Sequence, residues 1–317
     1  MKRAFITGVA GQDGTYLSQY LLSKGYAVFG VDLKCAAVDR AIVKLCAVDL
    51  ASEKSVAGML KKIKPQEVYH LAAYHGSSED KGHEDGLDNF KKSLEANTVS
   101  TANLLESIRR VSKNSRFFFA ASSHVFGAPS TPRQDELTPC DPNNLYGITK
   151  YASMGLCRYY RSQYKVFAAV GILFNHESPL RSSHFVSKKI VETAVAIKNG
   201  RAQKLVLGNL DAQVDWGYAL DYVAAMHAIL RLDEPGDFVI SSGQKHTVRE
   251  FVQIAFGYLG LDWKKHVLVD RAVFNSSVKS VLFGDNKKLI KATGWRPQVD
   301  LKGLIKIMIE QESGKYE

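Results

Sequence analysis

Residues 1–32 read MKRAFITGVAGQDGTYLSQYLLSKGYAVFGVD. The apolar run from Ala4 to Thr7 predicts a strand, Gly8, Gly11 and Gly14 a tight turn, and the spacing of Tyr16, Leu17, Tyr20 and Leu21 a helix that stops at Gly25. Each glycine has a mechanical reason: one for the turn, one for backbone approach to a pyrophosphate, one for close packing of helix on strand. Phosphates then sit on the helix N-terminus, where free N–H groups and the dipole favour negative charge. Ala27 to Val31 follows as a second strand ending at Asp32. A carboxylate about 20 residues past the glycines suits the ribose hydroxyls of NAD and repels the 2′-phosphate of NADP.

Outward from that unit, strands and helices alternate. Val43 to Val48, Glu67 to Leu71, Arg116 to Ala121 and Val166 to Leu173 read as strands, and 53–62, 94–111 and 144–164 as helices. Such alternation means parallel βαβ units, hence an α/β fold with a doubly wound parallel sheet of Rossmann type. Residues 1–172 are expected to form the dinucleotide-binding domain, with later returns near 208–243. Residues 173–317 should form mainly a smaller, mixed α/β substrate-binding domain, with helices over 185–198, 218–231 and 248–259 and from Leu301. The polar stretch from Gly76 to Phe90, GSSEDKGHEDGLDNF, is too long for an ordinary connection and reads as a surface insertion or a lid.

The bulk numbers narrow the classes. At 317 residues, 45% hydrophobic and 23% charged, the chain has the composition of a globular protein with a sizeable core. It contains no 18-residue apolar run, so no membrane span is expected, and the N-terminus enters a strand without a signal sequence. Cys35, Cys46, Cys140 and Cys157 lack C-x-x-C spacing, which argues against a metal site or disulfide frame and for a cytoplasmic protein. The net charge of +10 comes from scattered lysines without an aromatic-interleaved basic motif, so a small polyanion suits it and nucleic acid does not.

Tyr146 and Lys150 stand four apart near the start of a predicted helix and share a face. An ammonium beside a phenol favours the phenolate, so the Tyr146 pKa should fall and the residue should exchange a proton with an alcohol. Ser122, just past the strand ending at Ala121, supplies a hydroxyl to orient the substrate oxygen. His70 closes an apolar run and reads as a core or cofactor-side residue.

Together with Asp49-Leu50, His70-Leu71-Ala72-Ala73, Ser122-Ser123 and Tyr146-Gly147-x-x-Lys150, the glycine turn resembles the extended short-chain dehydrogenase/reductases. Within them the chain is similar, over nearly its whole length, to the GDP-mannose 4,6-dehydratase family. The strings that carry the likeness are Gly11-Gln12-Asp13-Gly14-Thr15-Tyr16-Leu17, Asn175-His176-Glu177-Ser178-Pro179 with Arg181, Phe185-Val186-x-Lys188-Lys189-Ile190, Leu207-Gly208-Asn209-Leu210-Asp211-Ala212 and Asp215-Trp216-Gly217. The resemblance implies hydride transfer from C4 of a nucleotide sugar to the cofactor, proton removal at C5, loss of water from C6 and hydride return there. It implies Gly8, Gly11, Gln12, Asp13, Gly14, Asp32, Asp49, Leu50, Leu71, Ala72, Ala73, Tyr146 and Lys150 at the cofactor. On the sugar nucleotide it implies Asn175, Glu177, Arg181, Lys189, Asn209 and Trp216, although by its own surroundings in the sequence Trp216 reads first as core. A homodimer or higher homo-oligomer, paired through the helices 94–111 and 144–164, is implied as well.

Four departures bear on function. His124 stands where the family has the glutamate that handles the C5 proton. The imidazole could serve as that base, could leave the enzyme a C4 epimerase or 4-keto reductase, or could merely fill the slot; an NAD-binding sensor or scaffold is the non-catalytic alternative. Asp32 favours NAD where basic residues for NADP are expected, with Lys34 nearby. Val214 replaces an arginine, and Asn275 to Ser280 departs from the family's later basic segment. Arg181, Lys188, Lys189 or Arg271 is then expected to meet the diphosphate.

Overall fold

The computed structural model of the chain describes residues 1–33, 41–44, 48–74, 86–270 and 281–315. Arg3–Thr7 (β1), Ala27–Val31 (β2), Val43–Lys44 (β3), Glu67–His70 (β4), Arg116–Ser122 (β5) and Ala168–Leu173 (β6) all pair in parallel. A seventh parallel strand, Asp237–Ile240, joins the edge beside β6, giving the order 237–240, β6, β5, β4, β1, β2, β3. The chain runs outward from β1 to β3 and then returns to the other side of β1 through β4. Between β1 and β4 lies the switch point at which doubly wound sheets bind ligands.

Alternation along the strands feeds two cores. Ala4, Ile6, Phe118 and Ala169 face the helices Gln12–Ser23 (α1) and Ala219–Ile229, whereas Phe5, Val68, Phe117, Phe119 and Val170 face Glu53–Ile63 (α2), Ser100–Val111 and Leu145–Tyr164 (α5). Both faces are covered, which is why these strands are nearly continuous apolar runs. A third core, including Ile190, Trp216, Phe251 and Leu304, sits in the C-terminal half. No described helix is long and apolar enough to cross a membrane.

Some boundaries move. Helix begins at Gly86, so 86–90 is not loop, and one continuous helical stretch runs to Val111 through a π-helical turn at Leu94–Val99. Residues 75–85 of the supposed insertion, residues 34–40 with Lys34 and Cys35, Cys46, Arg271 and 275–280 lie outside the described residues. Cys140 and Cys157 are free thiols, and among the described residues no cluster of potential metal ligands occurs.

Candidate active site

The glycine turn forms because Gly8, at φ +73°, accepts a conformation that strains other residues, and because a Cβ there would lie 2.7 Å from the Ala72 nitrogen. A Cβ on Gly14 would lie 2.2 Å from the Gly8 carbonyl, so α1 can start this close to the turn only without one. Gly11 caps α1 with no side chain over its first N–H groups, which leaves them directed outward as an anion site. A cleft of about 960 Å³ opens at this point, lined by Gly8, Gly11, Asp32, Asp49, Leu50, Leu71, Ala72 and Ala73 among others. Asp32 is held there by a 3.1 Å hydrogen bond that its carboxylate accepts from the Ala10 N–H. Volume, glycines, helix N-terminus and carboxylate suit a dinucleotide.

The floor of the cleft is braced by a directional chain. The Ala72 N–H donates to the Thr7 hydroxyl, which lies 2.7 Å from His70 Nδ1, while His70 Nε2 lies 2.9 Å from the Ser100 hydroxyl, itself a donor to the Ala96 carbonyl. Burial pushes His70 down to about 3, so it works as a neutral bridge, a core residue beside the cleft.

Ser122 is the last residue of β5, one residue later than the strand end expected from sequence, and Tyr146 and Lys150 stand beside it. Asn144 caps α5 by accepting from the Gly147 N–H at 2.9 Å, which sets Tyr146 in the first turn and Lys150 one turn later. The Ser122 hydroxyl acts on the Tyr146 phenol, pulling its pKa down against the larger effect of burial. Lys150 Nζ donates to the Ala120 carbonyl at 2.7 Å and lies 5.6 Å above the Tyr146 ring. The expected lowering of the phenol pKa is not what this geometry produces. Burial, reinforced by the Asp13 carboxylate, pushes Tyr146 up to about 12, and burial pushes Lys150 down to about 7. A lysine half discharged near neutrality cannot offer the full ammonium field assumed from spacing alone.

Gln12 and Asp13 are engaged elsewhere than their motif suggests. Asp13 lies 2.9 Å from His176 Nε2, Gln12 Nε2 donates to the His176 carbonyl, and the Ser178 hydroxyl donates to Gln12 Oε1. Their side chains clasp the glycine turn to the strand Asn175–Glu177 rather than lining the cleft. His176, which sequence reasoning left among motif letters, also stacks on Tyr222 at 4.6 Å.

The residues expected at the sugar nucleotide divide. Arg181 acts electrostatically on both Asp13 and Tyr146; its guanidinium packs 3.4 Å over Phe185, and its Nε lies 3.1 Å from Glu177 without hydrogen-bond alignment. Lys189 is half-buried, while Asn175 and Asn209 are exposed, Asn209 accepting from the Asp211 N–H. Three expectations are corrected. Glu177 is buried beneath Arg181 and accepts from the Ser187 hydroxyl. Trp216 is core, edge-on to Phe251 at 5.1 Å. Lys188 is consumed by a buried 2.7 Å ion pair with Glu312.

His124 follows Ser122 in a short 3-10 turn, Ser123–Phe126. Its ring meets Tyr146 edge-on at 5.8 Å, its Nδ1 lies 3.2 Å from Asn144 Nδ2, and burial pushes its pKa down. Gly147 is required here, since a Cβ would stand 2.5 Å from the His124 carbonyl. Sequence reasoning gave no role to Asn144, its predicted helix start, or to Gly147, which it quoted only as a motif letter; the signal was an Asn three residues ahead of a glycine at a helix start.

Comparison with known proteins agrees with this geometry. The family profile described as GDP-mannose 4,6 dehydratase matches residues 5–308. GDP-mannose 4,6 dehydratase 2 of Arabidopsis thaliana is 38% identical, covering 98% of this chain and 87% of that protein, and the human GDP-mannose 4,6 dehydratase is 33% identical, covering 98% and 91%. Among solved structures, a Bacillus anthracis dTDP-glucose 4,6-dehydratase in complex with NAD superposes with a TM-score of 0.82 at 17% identity, covering 99% of this chain and 97% of that one. A Thermus thermophilus UDP-glucose 4-epimerase complex with NAD does so with 0.81 at 23%, covering 98% and 99%.

Proposed function

The chain belongs to the GDP-mannose 4,6-dehydratase family, and from that premise we propose that it is a nucleotide-sugar 4,6-dehydratase-type enzyme acting on GDP-mannose or a close relative with NAD. The observation that carries this reading is the meeting of Ser122, Tyr146 and Lys150 at the C-terminal edge of the sheet, within the electrostatic reach of Asp13 at the glycine turn. A bound dinucleotide would supply a hydride acceptor at C4 and a hydride source for C6. Gly8, Gly11, Asp32, Asp49, Leu50, Leu71, Ala72 and Ala73 would hold it, with Asp32 selecting NAD over NADP.

The side chains supply the rest. Tyr146 is placed to take the C4 hydroxyl proton, for which the positive charge of a bound NAD's nicotinamide would have to offset the burial that holds the phenol at about 12; Ser122 orients that oxygen, and Lys150 lies beneath the phenol. Arg181 and Lys189 offer positive charge for the diphosphate. The enzyme is a cytoplasmic homodimer in this reading, supported by the exposed Val99, Leu145, Ile148 and Tyr151 on the helices concerned.

The test is incubation with NAD and GDP-mannose. The reading expects a 4-keto-6-deoxy product lacking the C6 oxygen, and a Tyr146→Phe variant that binds NAD but loses turnover by at least about 100-fold. A second reading, C4 epimerisation or 4-keto reduction without dehydration, is favoured by one observation: His124, in place of a carboxylate, presents Nδ1 to an amide N–H. Inverted C4 with the C6 oxygen retained, or net NADH turnover, would select it.

A further inference from the structure

Two segments of the site meet at Ser178. Its hydroxyl donates to Gln12 Oε1 at 2.7 Å and accepts from the Leu180 N–H at 3.1 Å, while its carbonyl accepts from the Arg181 N–H at 3.0 Å. The turn that carries Arg181 is therefore wound on Ser178, and Ser178, fully buried, is tied to Gln12. The Gln12 amide has one workable orientation: its Nε2 donates to the His176 carbonyl at 3.1 Å and to Asp13 Oδ1 at 3.3 Å, and turning it over would set Oε1 against both acceptors. Gln12 is also the first residue of α1, where a dinucleotide's pyrophosphate meets the backbone N–H groups. A second brace reaches the same turn from elsewhere. Lys188 Nζ donates to the Pro179 carbonyl at 3.1 Å and pairs with Glu312 of the C-terminal helix at 2.7 Å.

We propose that Gln12 is a positioning residue that couples NAD at the glycine turn to the placement of Arg181, so that NAD and the diphosphate of the nucleotide sugar bind cooperatively. NAD bound at the start of α1 fixes Gln12, Gln12 through Ser178 fixes the turn 178–181, and that turn carries the guanidinium. The diphosphate end rests on the nucleotide-sugar reading; the link from NAD to the turn does not. The entropy of ordering Gln12 and Ser178 is lost on the first binding event, and the second ligand meets a turn already in place. Linkage makes the effect mutual: whatever factor NAD adds to diphosphate affinity, the diphosphate adds to NAD affinity. The Lys188 brace carries no such dependence, since it runs through Pro179 and the C-terminal helix and not through α1. Asp13 and His176 hold the strand ahead of the turn, and Asp13 also acts on Tyr146, so Gln12 is the end of the clasp that can be changed without recharging the site.

Hydrogen exchange of the full chain, read by mass spectrometry over peptides containing Leu180 and Arg181, follows the turn directly. Saturating NAD should slow exchange there at least about fivefold in the parent protein. Gln12→Ala keeps the backbone N–H groups of α1 and should still bind NAD, but the slowing should vanish. Ser178→Ala breaks the same contact from its other end and should lose the slowing too. Lys188→Met, which removes the second brace, should speed exchange with and without NAD alike and keep the ratio. No NAD-dependent slowing in the parent, or an undiminished ratio in Gln12→Ala, overturns the proposal. So does a ratio lost in Lys188→Met, which would mark a general loosening of the turn.

Calorimetric titration with GDP, the unreactive diphosphate portion of the substrate, reads the other end. The parent should bind GDP at least about fivefold more tightly with NAD than without it, and Gln12→Ala should bind it equally in both conditions. A parent that binds GDP with no help from NAD overturns the cooperativity. If GDP binds neither protein while NAD still slows exchange in the turn, the nucleotide-sugar reading fails and the link through Gln12 stands.

Discussion

The Asp13 carboxylate and the His176 imidazole meet at 2.9 Å, tying the first turn of α1 to the strand Asn175–Glu177 across 163 residues of chain. Burial alone would raise Asp13 and lower His176, but their mutual attraction wins in both: Asp13 is held below its ordinary 3.8 and His176 above its ordinary 6.5. The raised histidine stabilises the fold fully below 6.5 and loses that contribution as pH rises through its folded value. The lowered aspartate contributes above 3.8 and loses it as pH falls through its own. Urea midpoints should therefore be highest between these two values, and His176→Gln should flatten the alkaline arm. His176→Ala, which leaves the half-buried Asp13 carboxylate with only a long hydrogen bond from Gln12, should cost about 1–3 kcal/mol.

Lys150 illustrates a conflict between stability and activity. Its folded pKa of about 7 lies below the ordinary 10.5, so charging it penalises the folded state; the penalty grows as pH falls from 10.5 towards 7 and is complete below. Lys150→Met removes the buried charge and loses one hydrogen bond, to Ala120. At neutral pH it should gain about 2 kcal/mol in denaturant unfolding, since each tenfold loss of proton affinity on folding costs roughly 1.4 kcal/mol, while turnover disappears. A variant no more stable than the parent at pH 7 would show that Lys150 is not desolvated as its burial requires.

Much of this arrangement was legible in the chain because it is written locally. Gly8, Gly11, Gly14 and Asp32 lie within 25 residues of one another, and their roles follow from turn geometry and charge. The clasp was not legible, since Asp13 and His176 look like a phosphate-loop residue and a motif letter until the fold brings them together. Glu177 misled for the opposite reason: a charged residue within a binding motif can face inward, and here Ser187 and Arg181 draw it into the interior, whereas Trp216 packs on Phe251 as its first reading as core expected. The Tyr146 and Lys150 pKa directions depend on burial, which spacing along a helix does not encode.

Asp32 should set cofactor preference through charge alone. Asp32→Asn retains an oxygen for the Ala10 N–H, now 3.1 Å away, but removes the repulsion of a 2′-phosphate. Fluorescence titration should show the parent binding NAD at least about tenfold more tightly than NADP, and the variant losing most of that difference through improved NADP binding. Equal preference in the two proteins would place the discrimination elsewhere.

Gly147 offers the sharpest test of how closely the catalytic turn is packed. A Cβ there would stand 2.5 Å from the His124 carbonyl and 3.1 Å from Pro142, so Gly147→Ala must push the start of α5 away from the 3-10 turn that carries His124. The displacement acts on the Ser122 contact of Tyr146 and the Asn144 contact of His124 together. Misplacement by about 1 Å can cost 100-fold in turnover, and a loss of that size is expected in kcat, with NAD affinity nearly unchanged because the cleft is built on the β1 and β4 side. Gly155→Ala, in the same helix with nothing within 4 Å of its Cβ, is the control. It should stabilise the chain by about 0.5–1 kcal/mol through helix propensity and leave kcat intact. Equal kcat values for the two variants would mean that the first turn of α5 does not govern the placement of Tyr146.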